Sequence, residues 1–284
     1  MLGLAGVVVV WSINYIVGKI ALAHIDPLTL AVFRCELVAL LLLVIYGAQP
    51  RRTRPRRRDF WTFLWLGFFG YIVNQCCFVI GLGHTSSEHS VVIIASGPIL
   101  ILVLASILRL EKLTAAKVLG MVTGFAGVIL LELEHGWPAH SPLLVGDLIT
   151  LLGILGFSVY TVLGKRVAGT YDTVAMNTFN AVIAAVLVLP VALRQGMHLD
   201  WNSVGWVGWA GLFYMAALSA VVGYLLYYWL LGHIEASRVV VVNYLQPVVV
   251  VLLSIPLLGE RPTGRLLVSA ALVLLGVYLA ERIS

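Results

Sequence analysis

The sequence predicts an all-α membrane protein with ten transmembrane helices, arranged as two inverted five-helix repeats. Three observations carry this: an apolar excess that no soluble core could absorb, a lopsided distribution of Lys and Arg among the loops, and an internal repeat with an odd number of helices. Of 284 residues, 61% are hydrophobic and 11% charged, and the mean hydropathy is +1.02. An average soluble domain is about 25% charged. Lipid needs no polar cover, because the solvent is itself apolar. Ten spans of roughly 20 residues take about 200 residues, which leaves short connections and no room for a large soluble domain.

Taken in order, long charge-poor runs predict helices over 2–22, 28–48, 60–83, 88–108, 115–132, 145–166, 173–193, 203–232, 237–257 and 264–281. The breaks between them carry turn signals: Asp26-Pro27, the arginine-rich stretch 49–58, 110–114, 136–142 and Arg261-Pro262. Helices 5 and 10 have short charge-free cores, and helix 8 is over-long, with an interfacial segment expected at 201–209. Ala21-Leu22-Ala23 mimics a signal-peptidase site. The segment has no basic n-region, Lys19 interrupts it, and a later segment repeats it, so it reads as the first span. Cys35, Cys76 and Cys77 fall inside apolar runs at spacings that suit neither a metal nor a disulfide framework.

The loop charges orient the chain. Six arginines lie between Arg51 and Arg58, whereas the connection over 132–144 has no Lys or Arg. With the arginine loop inside, alternation places Arg51, Arg52, Arg54, Arg56, Arg57, Arg58, Arg109, Lys112, Lys117, Lys165, Arg166, Arg238 and Arg282 on the inner side, against Lys19, Arg194, Arg261 and Arg265 outside. By the positive-inside rule both termini are cytoplasmic, in the plasma membrane (the inner membrane in a bacterium). Trp61 and Trp65 would form an inner aromatic belt, and Trp201, Trp206 and Trp209 an outer one. The net charge of +5 is thus a topology signal facing anionic lipid heads, not a nucleic-acid surface.

The internal repeat divides the chain into 1–134 and 145–284. At an offset of 146, Ser12, Gly18, Lys19, Asp26 and Phe33 meet Ser158, Gly164, Lys165, Asp172 and Phe179. At an offset of 149, Gly83-His84, Pro98, Glu111-Lys112 and Gly127 meet Gly232-His233, Pro247, Glu260-Arg261 and Gly276. Five helices per half turn the second copy upside down, an architecture of secondary transporters whose substrate sites lie where the repeats meet.

With Trp11 and Asn14 in helix 1, Pro27 to Arg34 opening helix 2, Pro98 and Pro247 in helices 4 and 9, and the Glu111, Gly120, Gly127 pattern echoed as Glu260, Ser269, Gly276, the chain resembles the drug/metabolite transporter superfamily, specifically its EamA-type ten-helix exporters. The resemblance covers nearly the whole chain. It implies export of amino acids and small metabolites, or of drugs, without ATP, through a central cavity lined by helices 1, 3, 4, 6, 8 and 9. The expected partners are a small-molecule substrate and the lipid bilayer.

Polar side chains within spans are costly and face protein or a watery cavity. The residues assigned to substrate on that basis are Trp11, Asn14, Asn74, Gln75, Phe78, Tyr160, Tyr224, Tyr227, Asn243 and Gln246. Asn14 and Tyr160 are repeat equivalents, and Tyr224, Tyr227 and Tyr228 follow i, i+3, i+4 spacing. The alternative for each is a plain interhelical hydrogen bond. Pro98 and Pro247 are candidate hinges, each removing a backbone hydrogen bond. Glu36 is the intramembrane candidate for a proton-coupling acid, with a buried structural pair as the alternative. Arg34, which cannot share a helix face with Glu36 two residues on, is expected to pair with a carboxylate of another helix or to snorkel. Glu111 and Glu260 read as structural turn residues, and Gly120, Gly124 and Gly127 as a packing face.

An intramembrane enzyme would need a catalytic set at depth. No P-loop and no His-Glu-x-x-His occur, and Asp147 lacks the glycine at 144 that an aspartyl intramembrane protease motif needs. Neither a cofactor nor a metal is expected. A channel or a lipid scramblase of the same architecture remains the competing reading.

Overall fold

The computed structural model describes residues 2–50, 53–109, 114–133, 143–164, 170–233 and 241–282. Among these the chain is all-helical. Its elements are α1 (Leu2–Leu22), α2 (Pro27–Ala48), α3 (Arg57–His84), α4 (Ser87–Ile107), α5 (Ala115–Glu132), α6 (Leu144–Gly164), α7 (Thr173–His198), α8 (205–233), α9 (Val241–Leu258) and α10 (Gly264–Arg282). Seven, α1 to α4 and α6 to α8, contain stretches long and apolar enough to cross a membrane; α5, α9 and α10 are shorter apolar helices. The chain is therefore an integral membrane protein, as its composition predicts.

Local chemistry sets the helix starts. Asp26 accepts hydrogen bonds from the Leu28 and Thr29 amides while Pro27 occupies the first helical position. That position needs no N–H donor and favours the fixed φ of proline. Ser86, Thr114 and Asp172 cap α4, α5 and α7 in the same way. α7 runs through Pro190 to His198, five residues beyond the predicted end. α8 starts after a turn at 201–204, where Trp201 stacks on Trp209.

Three long helices are irregular in ways their sequences do not announce. α3 and α8 each contain a stretch of π-helix, Phe68–Cys76 and Tyr214–Gly223, in which hydrogen bonds run from i to i+5. Such wide turns rotate the following side chains and recur at functional sites. α4 is broken at Ser96, just before Gly97-Pro98. There Ser96 Oγ donates to the Ile93 carbonyl at 2.6 Å.

Packing is organised by pairs. α5 lies against α10 and α2 against α7. α1 packs on α9 and α8, and α6 on α4 and α3. The α5–α10 contact uses the predicted glycine face. A Cβ on Gly276 would sit 2.5 Å from Gly124 N and 2.6 Å from the Gly120 carbonyl, and one on Gly127 would sit 2.8 Å from the Ser269 carbonyl. The outer surface exposes large apolar side chains, among them Leu40, Val44, Val122, Leu187 and Leu252, as a lipid-facing surface requires.

Candidate functional site

The bundle encloses a cavity of about 250 Å³. α1 contributes Trp11, Asn14 and Tyr15; α2, Arg34; α3, Asn74, Gln75 and Phe78; α4, Ile94, Gly97, Pro98 and Ile101. α6 adds Thr150, Gly153, Ile154, Phe157 and Thr161; α8, Ser219, Tyr224 and Tyr227; α9, Gln246.

The π-stretches and the α4 break shape this space. Asn74 and Gln75 lie just before the end of the α3 stretch, and Ser219 lies within the α8 stretch with Tyr224 next to its end. Pro98 has no N–H for the carbonyl four residues back, that of Ile94, and both line the cavity. Pro247, by contrast, lies inside an unbroken α9. Its neighbour Gln246 lines the cavity.

Aromatic rings form much of the wall. Trp11 packs its indole against Tyr224 and Tyr227, centroids 5.4 and 5.2 Å apart, and donates its Nε1 hydrogen to the Ser219 carbonyl at 3.2 Å. Tyr15 meets Phe78 edge-on at 5.3 Å. Asn74 Nδ2 donates to the Gly153 carbonyl at 3.1 Å, tying α3 to α6.

The structure thus gathers Trp11, Asn14, Asn74, Gln75, Phe78, Tyr224, Tyr227 and Gln246 around one void, with Pro98 beside them. Tyr160 is not among the lining residues. Its ring is seated on Gly70 of α3, where a Cβ would lie 2.4 Å from the ring, in an aromatic cluster with Phe63 and Tyr171. The side chains of Asn243 and Tyr228, and Glu111 altogether, lie outside the described residues. Glu36 is half-buried and off the cavity wall, and its Oε1 is shielded without a partner among the described residues.

Arg34 departs from both sequence expectations. It neither snorkels, being 4% exposed, nor meets a carboxylate among the described residues. Its Nε donates to the Met215 carbonyl at 3.2 Å, inside the α8 π-stretch, and its guanidinium lies over the Phe78 ring at 5.8 Å. The α6 face was also missed. Thr150, Gly153, Ile154, Phe157 and Thr161 share one helical face, but only two hydroxyls mark it as polar.

At one end of the bundle, away from the arginine loop, a buried polar cluster ties α4 to its neighbours. Asp147 of α6 accepts from Thr85 Oγ1 and lies 3.0 Å from His89 Nδ1. Glu260, just after α9, accepts from the Ser87 amide and hydroxyl at the start of α4. Glu88 accepts from Ser254 Oγ of α9 at 3.0 Å. Sequence reading treated Glu260 as a local turn residue, whereas its carboxylate caps a helix from the other half of the chain. Spacing alone could not reveal so remote a partner. At the arginine-loop end the bonds are different in kind. Tyr171 donates to Asp59 at 2.7 Å and accepts from the Arg56 amide, and Thr53 donates to Asp172. Burial and the bond to Asp59 raise the Tyr171 phenol above its ordinary pKa.

α4 divides between these ends. Its first half, Ser87–Ala95, packs on both α9 and α6; the half beyond Ser96 packs mainly on α6, with lighter contact to α5 and α10. The cavity takes Gly97, Pro98 and Ile101 from that second half, and Gln246 from the arginine-loop end of α9.

Comparison with known proteins agrees with this geometry. The EamA-like transporter family matches over residues 1–133 and 144–282. An uncharacterized transporter of Archaeoglobus fulgidus is 28% identical, covering 98% of this chain and 97% of its own length. Proteins named "Probable amino-acid metabolite efflux pump" in Escherichia coli and Salmonella typhimurium are 26% and 25% identical, each across 96% of this chain and 91% of the relative. A solved crystal structure superposes with a TM-score of 0.68 at 19% identity, over 99% of this chain and 96% of that one, which speaks to the fold alone. The chain belongs to the EamA-like transporter family, and it is a membrane transporter rather than an enzyme.

Proposed function

We propose that the protein is a secondary transporter, an exporter of small organic metabolites such as amino acids, or of drugs, working by alternating access in the plasma membrane with both termini cytoplasmic. The observation that carries this is the cavity of about 250 Å³, walled by amide, hydroxyl and aromatic side chains from both halves of a lipid-facing bundle. Drug-sized pockets run to roughly 300–1,000 Å³, so a solute of amino-acid size suits this one best. The names of the two efflux-pump relatives agree.

Ten spans in two inverted repeats are part of the same reading. α5, α9 and α10 have 18, 18 and 19 residues. At 1.5 Å per residue each rises about 27–29 Å, close to the ~30 Å hydrocarbon core. The pairings support a twofold relation between the halves: α1 with α8 and α9 is matched by α6 with α3 and α4, and Gly276 against Gly120 is matched by Gly127 against Ser269. On this reading the Asp147, Glu88 and Glu260 cluster closes the outer side, and the second half of α4, which packs less on α9 than the first half does, faces the cytoplasm. Pro98, at the break in α4, serves as the main flexing point and Pro247 of the unbroken α9 as a minor one, and Glu36 as the coupling acid if protons drive export.

Reconstitution into liposomes tests the reading. A labelled amino acid or amine is expected to show saturable flux with counterflow. Flux that never saturates, with ohmic current, would instead identify a channel, and lipid exchange without solute flux a scramblase.

A further inference from the structure

We infer that Arg34 is the anion-binding element of the cavity, and that the transported solute presents a carboxylate to it. This rests on the transport reading of the same cavity. Among the described residues Arg34 is the one charged side chain in the wall, and no Asp or Glu lines that wall with it. The groups that act on it electrostatically are Tyr224 of α8, Cys76 and Tyr71 of α3 and Cys35 beside it, all neutral at pH 7. Glu36 is turned about 200° away around α2. Nη1 is shielded from water and has no hydrogen-bond partner among the described residues.

A guanidinium cannot shed its proton. Held out of water with no counter-charge among the described residues, it is an electrostatic debt that a bound carboxylate settles, and its planar fork matches that group in two parallel hydrogen bonds. The Nε bond to Met215 and the Phe78 ring fix the plane of the fork, so its position is set before a solute arrives. A cationic amine entering alone would meet a like charge. An amino acid brings the anion that Arg34 lacks among the described residues, and the rings of Trp11 and Tyr224 in the same wall are the partners for its ammonium group.

The test compares each proteinogenic amino acid with its own amide, by thermal shift and direct binding to the detergent-purified wild-type protein. At least one acid is expected to stabilise the protein and to bind roughly ten- to a hundredfold more tightly than its amide, the loss of one charge-assisted pair. Arg34→Gln is expected to abolish that preference, with Arg34→Lys between the two. The inference is overturned if no acid surpasses its amide, or if R34Q keeps the difference. Should R34Q not fold, the wild-type comparison decides by itself. Liposome counterflow separates this inference from the reading beneath it. Saturable exchange indifferent to the carboxylate leaves the carrier standing and removes the anion role. Absence of saturable flux for every acid, amide and amine removes the carrier reading, and the solute assignment with it.

Discussion

α4 and α9 carry proline at matching repeat positions, Pro98 and Pro247, yet α4 breaks and α9 does not. Proline by itself is thus not sufficient to break a helix. In α4 it follows Ser96-Gly97, and Ser96 turns its hydroxyl onto the Ile93 carbonyl, giving the backbone an alternative to the helical bond. In α9 it follows Gln246, a better helix former than glycine. The consequence is architectural. A broken α4 can bind α9 and α6 with one half and mainly α6 with the other, while α9 is one continuous helix.

The largest expected effect comes from removing what holds the first half of α4. Asp147→Ala takes the acceptor from Thr85 and the Nδ1 partner from His89 in a buried site, and each buried hydrogen-bond partner lost costs about 1–3 kcal/mol. Thermal melting should fall accordingly, and hydrogen exchange should rise over Ser87–Ala95 but not over Gly97–Ile107. Equal exchange in both halves would dissolve the contrast. Next come the prolines. Pro98→Ala should slow solute flux by about tenfold, since hinge positions set conformational steps, whereas Pro247→Ala should stay within about twofold. The reverse order would assign flexing to α9. Glu260→Gln removes a charged cap from α4 and should cost about 0.5–2 kcal/mol in melting. Effects well below that of Pro98→Ala are expected in the cavity wall. Gln75→Ala and Tyr224→Ala should each lower flux about threefold, the worth of a typical ~0.6 kcal/mol intramembrane contact, with membrane expression unchanged.

Much of the span pattern was legible, because burial in lipid writes itself as uninterrupted apolar runs. The wall residues on α1, α3 and α8 were legible for the complementary reason: Asn14, Asn74, Gln75 and the Tyr224 stripe are costly within a span, so they had to be near one another or near water. Three features were not. The π-stretches depend on a single extra residue per turn, which leaves no mark in Phe68–Cys76 or Tyr214–Gly223. The α6 wall is built from small and apolar groups whose polarity is too slight to stand out. Tyr160 matches Asn14 by position, but a bulky ring seeks the nearest surface that lacks a side chain, and Gly70 supplies it. Arg34 drew the expectation of an acidic partner, and only three-dimensional neighbours could reveal that none stands beside it among the described residues.

The glycine contact between α5 and α10 limits how the molecule can deform. Backbone touches backbone at Gly124 and Gly276, with the Ser269 and Gly120 carbonyls close by. Sliding α10 lengthwise by one helical turn would bring Leu272 or Val273 to the place Gly276 holds, a gap that admits no side chain. Tilting about the point of contact meets no such obstruction. The pair therefore behaves as a bearing, free to pivot and blocked from gliding, and any rearrangement of the surrounding helices inherits a fulcrum at that point.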